Sequence, residues 1–194
     1  MKFGLTILRA VIGVLFFGHG TQKLYGWFGG HGPEGTGQFF ESLGLRPGRK
    51  HAMAAGAAEA GGGAALALGF LTPAAAAALI GVMSQAIRTV HLKNGPWVTD
   101  GGYEYNLALI AALVALADVG PGDVSLDHAL GIEAKGPLVA ILALGAGLGG
   151  AALVTRSSEG TPAGSGPLPG DPASASDAAS TSATADPTSA TTPA

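Results

Sequence analysis

Five apolar runs constrain this chain more than any other feature: Phe3 to His19, Ala52 to Phe70, Ala74 to Leu92, Glu104 to Val119 and Leu138 to Val154, each 16 to 19 residues long. At about 1.5 Å rise per residue, such a run makes a helix of roughly 24 to 29 Å, close to the ~30 Å hydrocarbon core of a bilayer. Lipid offers no hydrogen-bond partners, so a run that crosses it must satisfy its backbone groups internally, which selects helices. The expected fold is therefore all-α: an integral membrane four-helix bundle over residues 1–128, then a linker and a fifth transmembrane helix over 129–155. Apart from Arg156 and Leu168, residues 156–194 are Ser, Thr, Ala, Pro and Gly with a few acids and no aromatics. They cannot bury enough apolar area to offset ordering entropy, and a disordered tail is expected there.

Composition narrows the functional classes. Only 12% of residues are charged and the net charge is −3, so no basic surface can neutralise a row of phosphates and nucleic-acid binding is not expected. The chain has no cysteine, which removes thiolate metal sites and cysteine-borne sulfur chemistry. Lys2 and the apolar stretch after it resemble the start of a signal peptide, but no A-x-A-like site follows, and retention of the first helix is expected. The expected location is the cell membrane, crossed several times, with lipid as the surrounding partner.

The break at Leu71, Thr72 and Pro73 is so short that the second and third helices must be antiparallel neighbours. Between the first two helices, Phe39, Phe40 and Leu43 fall on one side of a short helix with Thr36 as its cap, and this segment should lie in the membrane interface. Lys23, Arg46, Arg49, Lys50 and Lys93 in the first and third loops, against Lys2 and Lys135 opposite, place those loops in the cytoplasm.

Ionisable residues inside lipid are costly, on the order of 2.5 to 3.5 kcal/mol at the bilayer centre, so they should face the bundle interior and be paired. Glu59 lies near the middle of the second helix. Counting from the tight turn, Arg88 reaches a depth within roughly 4.5 Å of it, and Arg9 comes to a similar level, which predicts a carboxylate flanked by two guanidinium groups. Gly56, Ala60, Gly61, Gly62 and Gly63 around Glu59 permit close approach of neighbouring helices. Arg9, Phe16 and Lys23, spaced by seven, form an inward stripe with His19 at its edge. Gln85, Arg88 and His91 share a face of the third helix. The two loops gather His19, Gln22, Lys23, Trp27, His91, Trp97, Tyr103, Glu104 and Tyr105 on one side, and an interfacial aromatic belt accounts for the tryptophans and tyrosines. No metal template fits the scattered histidines, and no phosphate loop is present.

Taken together, several motifs give the chain a resemblance to the DoxX family over about residues 3 to 127. They are His19-Gly-Thr-Gln-Lys-Leu-Tyr-Gly-Trp-Phe-Gly-Gly, Phe39-Phe-Glu-Ser-Leu-Gly-Leu, Glu59, Thr89-Val-His-Leu-Lys-Asn-Gly and Gly101-Gly-Tyr-Glu-Tyr-Asn-Leu. The resemblance implies a four-helix membrane bundle described as an oxidoreductase or a membrane partner of redox enzymes. Some members are subunits of a thiosulfate:quinone oxidoreductase. No catalytic residue carries over from it, and the fifth helix and tail are additions to its pattern. The expectation is a redox-associated protein binding a quinone-like amphiphile within the bundle. Arg9, Gln22, Lys23, Glu59, Arg88 and Tyr103 are the ligand-binding candidates, and Glu59, Arg88, His19, His91 and Glu104 the catalytic ones. The rival expectation is a non-catalytic scaffold that recruits a soluble redox enzyme.

Overall fold

The structure, a computed structural model, describes residues 3–159. All regular structure among them is helical: α1 (Phe3–Tyr25), α2 (Gly32–Ser42), α3 (Gly48–Leu68), α4 (Thr72–Ala86), α5 (Glu104–Val119), α6 (Leu126–Ala129) and α7 (Pro137–Glu159). The expected tail from 156 loses its first four residues to α7, and from residue 160 onward it lies outside the described residues.

Among the described residues three helices are long and apolar enough to cross a bilayer: α1, the continuous stretch Thr72–Asn94 and Pro137–Ser158. The last is the most apolar of them. The fifth segment is thus a stronger candidate span than α5, which has only 16 residues, or α3, which carries Arg49, Lys50 and His51 in its first turns and Glu59 at its centre.

Small residues set the closest contact, between α1 and α3. A Cβ added at Gly63 would lie 2.5 Å from the Phe17 nitrogen and 2.6 Å from the Gly13 carbonyl oxygen, and one at Gly20 would strike the Ala60 backbone. The two backbones touch directly, as small residues permit between membrane helices. The same device recurs between α4 and α7, where a Cβ on Gly147 would lie 2.6 Å from Ile80 Cγ2 and 2.8 Å from the Ala77 carbonyl oxygen. α4 sits centrally, packed against α3, α5 and α7.

The amphipathic α2 begins at Gly32 with Pro33 in its first turn, so Thr36 is inside the helix and does not cap it. α2 lies against α3 and α1. Arg49 donates to Glu34 Oε1 at 2.7 Å, and this hydrogen bond holds the Glu34 carboxyl below its ordinary range.

At the opposite end, the α3–α4 turn is gripped from both sides. Gly69 and Leu71 both adopt positive φ, +63° and +47°. Asp127 on α6, 1% exposed, accepts the Leu71 and Thr72 N–H groups at 2.7 and 2.9 Å, and its own N–H donates to the Gly69 carbonyl. The carboxylate thereby caps the start of α4, where orphan N–H groups and the helix dipole favour negative charge. Hydrogen bonds to a buried charge contribute about 1.5–3 kcal/mol. Asp127→Ala is expected to lower the apparent Tm by roughly 5–10 °C, read by thermal unfolding in detergent; a change under 2 °C would refute the capping role.

Candidate functional site

A cavity of about 760 Å³ opens among α1, α2, α3, α4, α5 and α7. That volume is in the range that holds drug-sized ligands, roughly 300–1,000 Å³. Its walls are mostly apolar, from Ile12, Phe16, Phe40, Ala58, Leu109 and Ala151 among others, with polar groups from His19, Lys23, His51, Glu59, Gln85, His91 and Asn106.

Glu59, 3% exposed, pairs with Lys23 across a distance of 2.6 Å. Two arginines were expected, and the helix register explains the difference. Ala60 and Gly63 face α1, so their neighbour Glu59 also faces α1; Lys23 lies three residues beyond Gly20, which rests on Ala60. Arg9 is fourteen residues before Lys23, about 21 Å along the helix. Its guanidinium instead donates to the Leu66 and Val124 carbonyls and interacts electrostatically with Asp127. The inward stripe of Arg9, Phe16 and Lys23 therefore exists, but its two cations serve opposite ends of the bundle.

Arg88, the other expected partner, does not pair with Glu59. A π-helical turn over Ile87–His91 widens the helix there and breaks the three-residue spacing that placed Gln85, Arg88 and His91 on one face. Gln85 and His91 line the cavity, whereas Arg88 is exposed.

Two of the histidines lining the cavity, His19 and His91, are oriented by their Nδ1 atoms. His91 Nδ1 lies 2.7 Å from the Gly101 carbonyl; a carbonyl only accepts, so Nδ1 carries hydrogen. Gln22 Nε2 donates to the Phe28 carbonyl, which fixes its amide and leaves Oε1 to accept from His19 Nδ1 at 3.0 Å. In the neutral ring each histidine then has Nε2 as its acceptor. Lys23 is neutralised by Glu59, so the polar end of the cavity is charge-balanced and offers ring acceptors.

The cavity thus brings together Lys23, Glu59, His19 and His91 from the expected set. Arg9, Gln22, Arg88, Tyr103 and Glu104 do not line it. Gln22 acts behind His19, and the Tyr103 and Glu104 N–H groups tie the third loop through the Gly95 and Pro96 carbonyls. Sequence reasoning missed Asn106, which is 6% exposed and donates to Met83 Sδ; an amide two residues into an apolar run was the available signal. It also missed the links from α7, where Thr155 Oγ1 donates to Gln85 Oε1 and Ser158 Oγ meets His51 Nε2, both at 3.2 Å. Among the described residues no three His, Cys, Asp or Glu side chains cluster as metal ligands do.

Comparisons with known proteins find relatives of the sequence. The DoxX family model matches residues 4–92. A protein of Bacillus subtilis (strain 168) described as "Putative oxidoreductase CatD" is 33% identical over 115 residues, covering 59% of this chain and 79% of that protein. No solved structure matches significantly. On these matches, and on the helices that carry the motifs, the chain belongs to the DoxX family.

Proposed function

We propose that this protein is a redox-associated membrane component that holds a neutral, quinone-like amphiphile in the cavity. Its headgroup would sit beside Lys23 and Glu59 within reach of His19 and His91, and its hydrocarbon part among the apolar walls. The observation that carries this reading is a cavity with largely apolar walls and a charge-balanced pair, Lys23 and Glu59, at its polar end. A charge-balanced end favours a neutral headgroup over an anion, because no cation is left to compensate one. The description of the Bacillus relative as an oxidoreductase supports redox chemistry. Lys23 and Glu59 orient the headgroup, and the histidine Nε2 atoms accept or return its protons.

The purified protein in lipid nanodiscs, titrated with a benzoquinone, is expected to bind it saturably, with Glu59→Gln weakening binding about tenfold, or ~1.4 kcal/mol. Absence of saturable binding, or equal affinity in the variant, would overturn the reading.

A second reading, a scaffold that recruits a redox enzyme, is favoured by one feature. Tyr25 at the end of α1 and Trp27 and Phe28 just after it make successive ring contacts, tilted and then edge-to-face, and are all more than half exposed. Crosslinking from Trp27 in cells discriminates: capture of one specific soluble partner supports the scaffold, and capture of lipid alone assigns these rings to the membrane interface.

A further inference from the structure

We propose that α7 determines which ligands the cavity accepts, by setting the room for their hydrocarbon tail, and that Gly150 is the position that decides it. The proposal rests on the amphiphile-binding reading above and concerns the tail alone.

α7 begins 45 residues beyond the last residue matched to the family, yet it supplies Ala146, Gly147, Gly150, Ala151 and Val154 to the cavity wall. This part of the wall is built from sequence outside the matched region. Its position is fixed by contacts that do not involve a ligand: Gly147 against Ile80 and Ala77, Thr155 on Gln85 and Ser158 on His51. α3 and α7 have little contact along their length, although the Ser158–His51 link joins them at one end. What lies between them is a slot floored by small residues of α4, Ala77, Ala78 and Gly81.

The lining glycines differ in what they do. Gly147 is committed to helix contact, and a Cβ on Gly81 would lie 3.2 Å from the Gly147 carbonyl oxygen. Gly150 meets nothing within 4 Å of an added Cβ, so no packing contact explains its lack of a side chain. Glycine within a helix costs about 0.5–1 kcal/mol relative to alanine, and here the missing side chain leaves the slot open. The slot belongs to the same cavity as the polar end, and beside Gly150 its lining residues Ala54, Ala55, Ala58, Ala77, Ala78 and Gly81 are apolar, so the occupant is the hydrocarbon tail of the molecule whose headgroup meets Lys23 and Glu59.

The test compares two benzoquinones with the same ring, one without a tail and one with a ten-carbon tail, binding to the full chain in nanodiscs of one lipid composition. Partitioning of the tailed compound into lipid is then common to every variant and cancels in the ratios. Gly150→Leu adds a good helix former where there is space, so folding should be retained; the apparent Tm checks this. Gly149→Leu is the control, because Gly149 has equal space but does not line the cavity. The expected result is that Gly150→Leu weakens the tailed quinone at least tenfold and the tailless one less than twofold, with Gly149→Leu changing neither. Equal loss for both quinones, loss for neither, or the same loss with Gly149→Leu overturns the role of α7. Failure of the wild-type protein to bind either quinone overturns the amphiphile reading itself and this proposal with it.

Discussion

Gly63→Leu is expected to leave little correctly folded protein, because the backbones of α1 and α3 already touch at this position. A single added carbon would sit 2.5 Å from the Phe17 nitrogen, and backbone atoms cannot swing aside as a side chain can. Overpacking in a tight core costs about 1–3 kcal/mol, and this site belongs at or above the top of that range. Forcing α1 away also separates Lys23 from Glu59, so the loss includes the ion pair. Gly61→Leu is the matched control, since Gly61 has open space around it; it should shift stability by less than about 0.5 kcal/mol. Size-exclusion profiles and apparent Tm measured side by side check both, and similar behaviour of the two variants would show that close approach of α1 and α3 does not hold the bundle together.

Lys23→Met should cost nearly as much, for an electrostatic reason. It leaves the Glu59 carboxylate, with a side chain 4% exposed, without its counter-ion. Removing one partner of a buried pair costs about 3–5 kcal/mol; because the Lys23 side chain is 22% exposed, about 2–3 kcal/mol is the better expectation. The double variant Lys23→Met, Glu59→Gln removes the stranded charge and should recover more than half of the loss, since replacing both members of a pair is far milder than breaking it. An apparent Tm for the double variant equal to or below that of Lys23→Met alone would mean that the pair does not act as a unit. Arg88→Met, by contrast, should be near neutral, as Arg88 is exposed.

What was legible in the sequence was what periodicity and length encode. The expected limits Glu104 to Val119 coincide with α5, and the glycines around Glu59 announced a close helix contact that the structure places against α1. Relative depth was only partly readable: Gly62 packs against Leu79 and Ala75, which sets Glu59 nearer the level of Ile80 than of Arg88. Direction was not. Which face of α3 carries Glu59 depends on which neighbour its glycines meet, and the π turn at Ile87–His91 has no signature in apolar spacing. Arg9 was misplaced because its carbonyl partners, Leu66 and Val124, are backbone groups that no side-chain pattern reveals. Asp127 was overlooked for a similar reason: it caps α4 from 55 residues away, whereas capping is sought within one turn of a helix start. α7 was expected as a fifth span, but not where it packs: Gly147 is what seats it on α4.

The most direct test is a cryo-electron microscopy structure of the full chain in lipid nanodiscs prepared with a tailed benzoquinone. The expected density is elongated, with one end beside the Lys23 and Glu59 pair and the other running past Gly150. Glu59 turned toward the acyl chains, or paired with Arg88 while the surrounding helices close over the space, would contradict it.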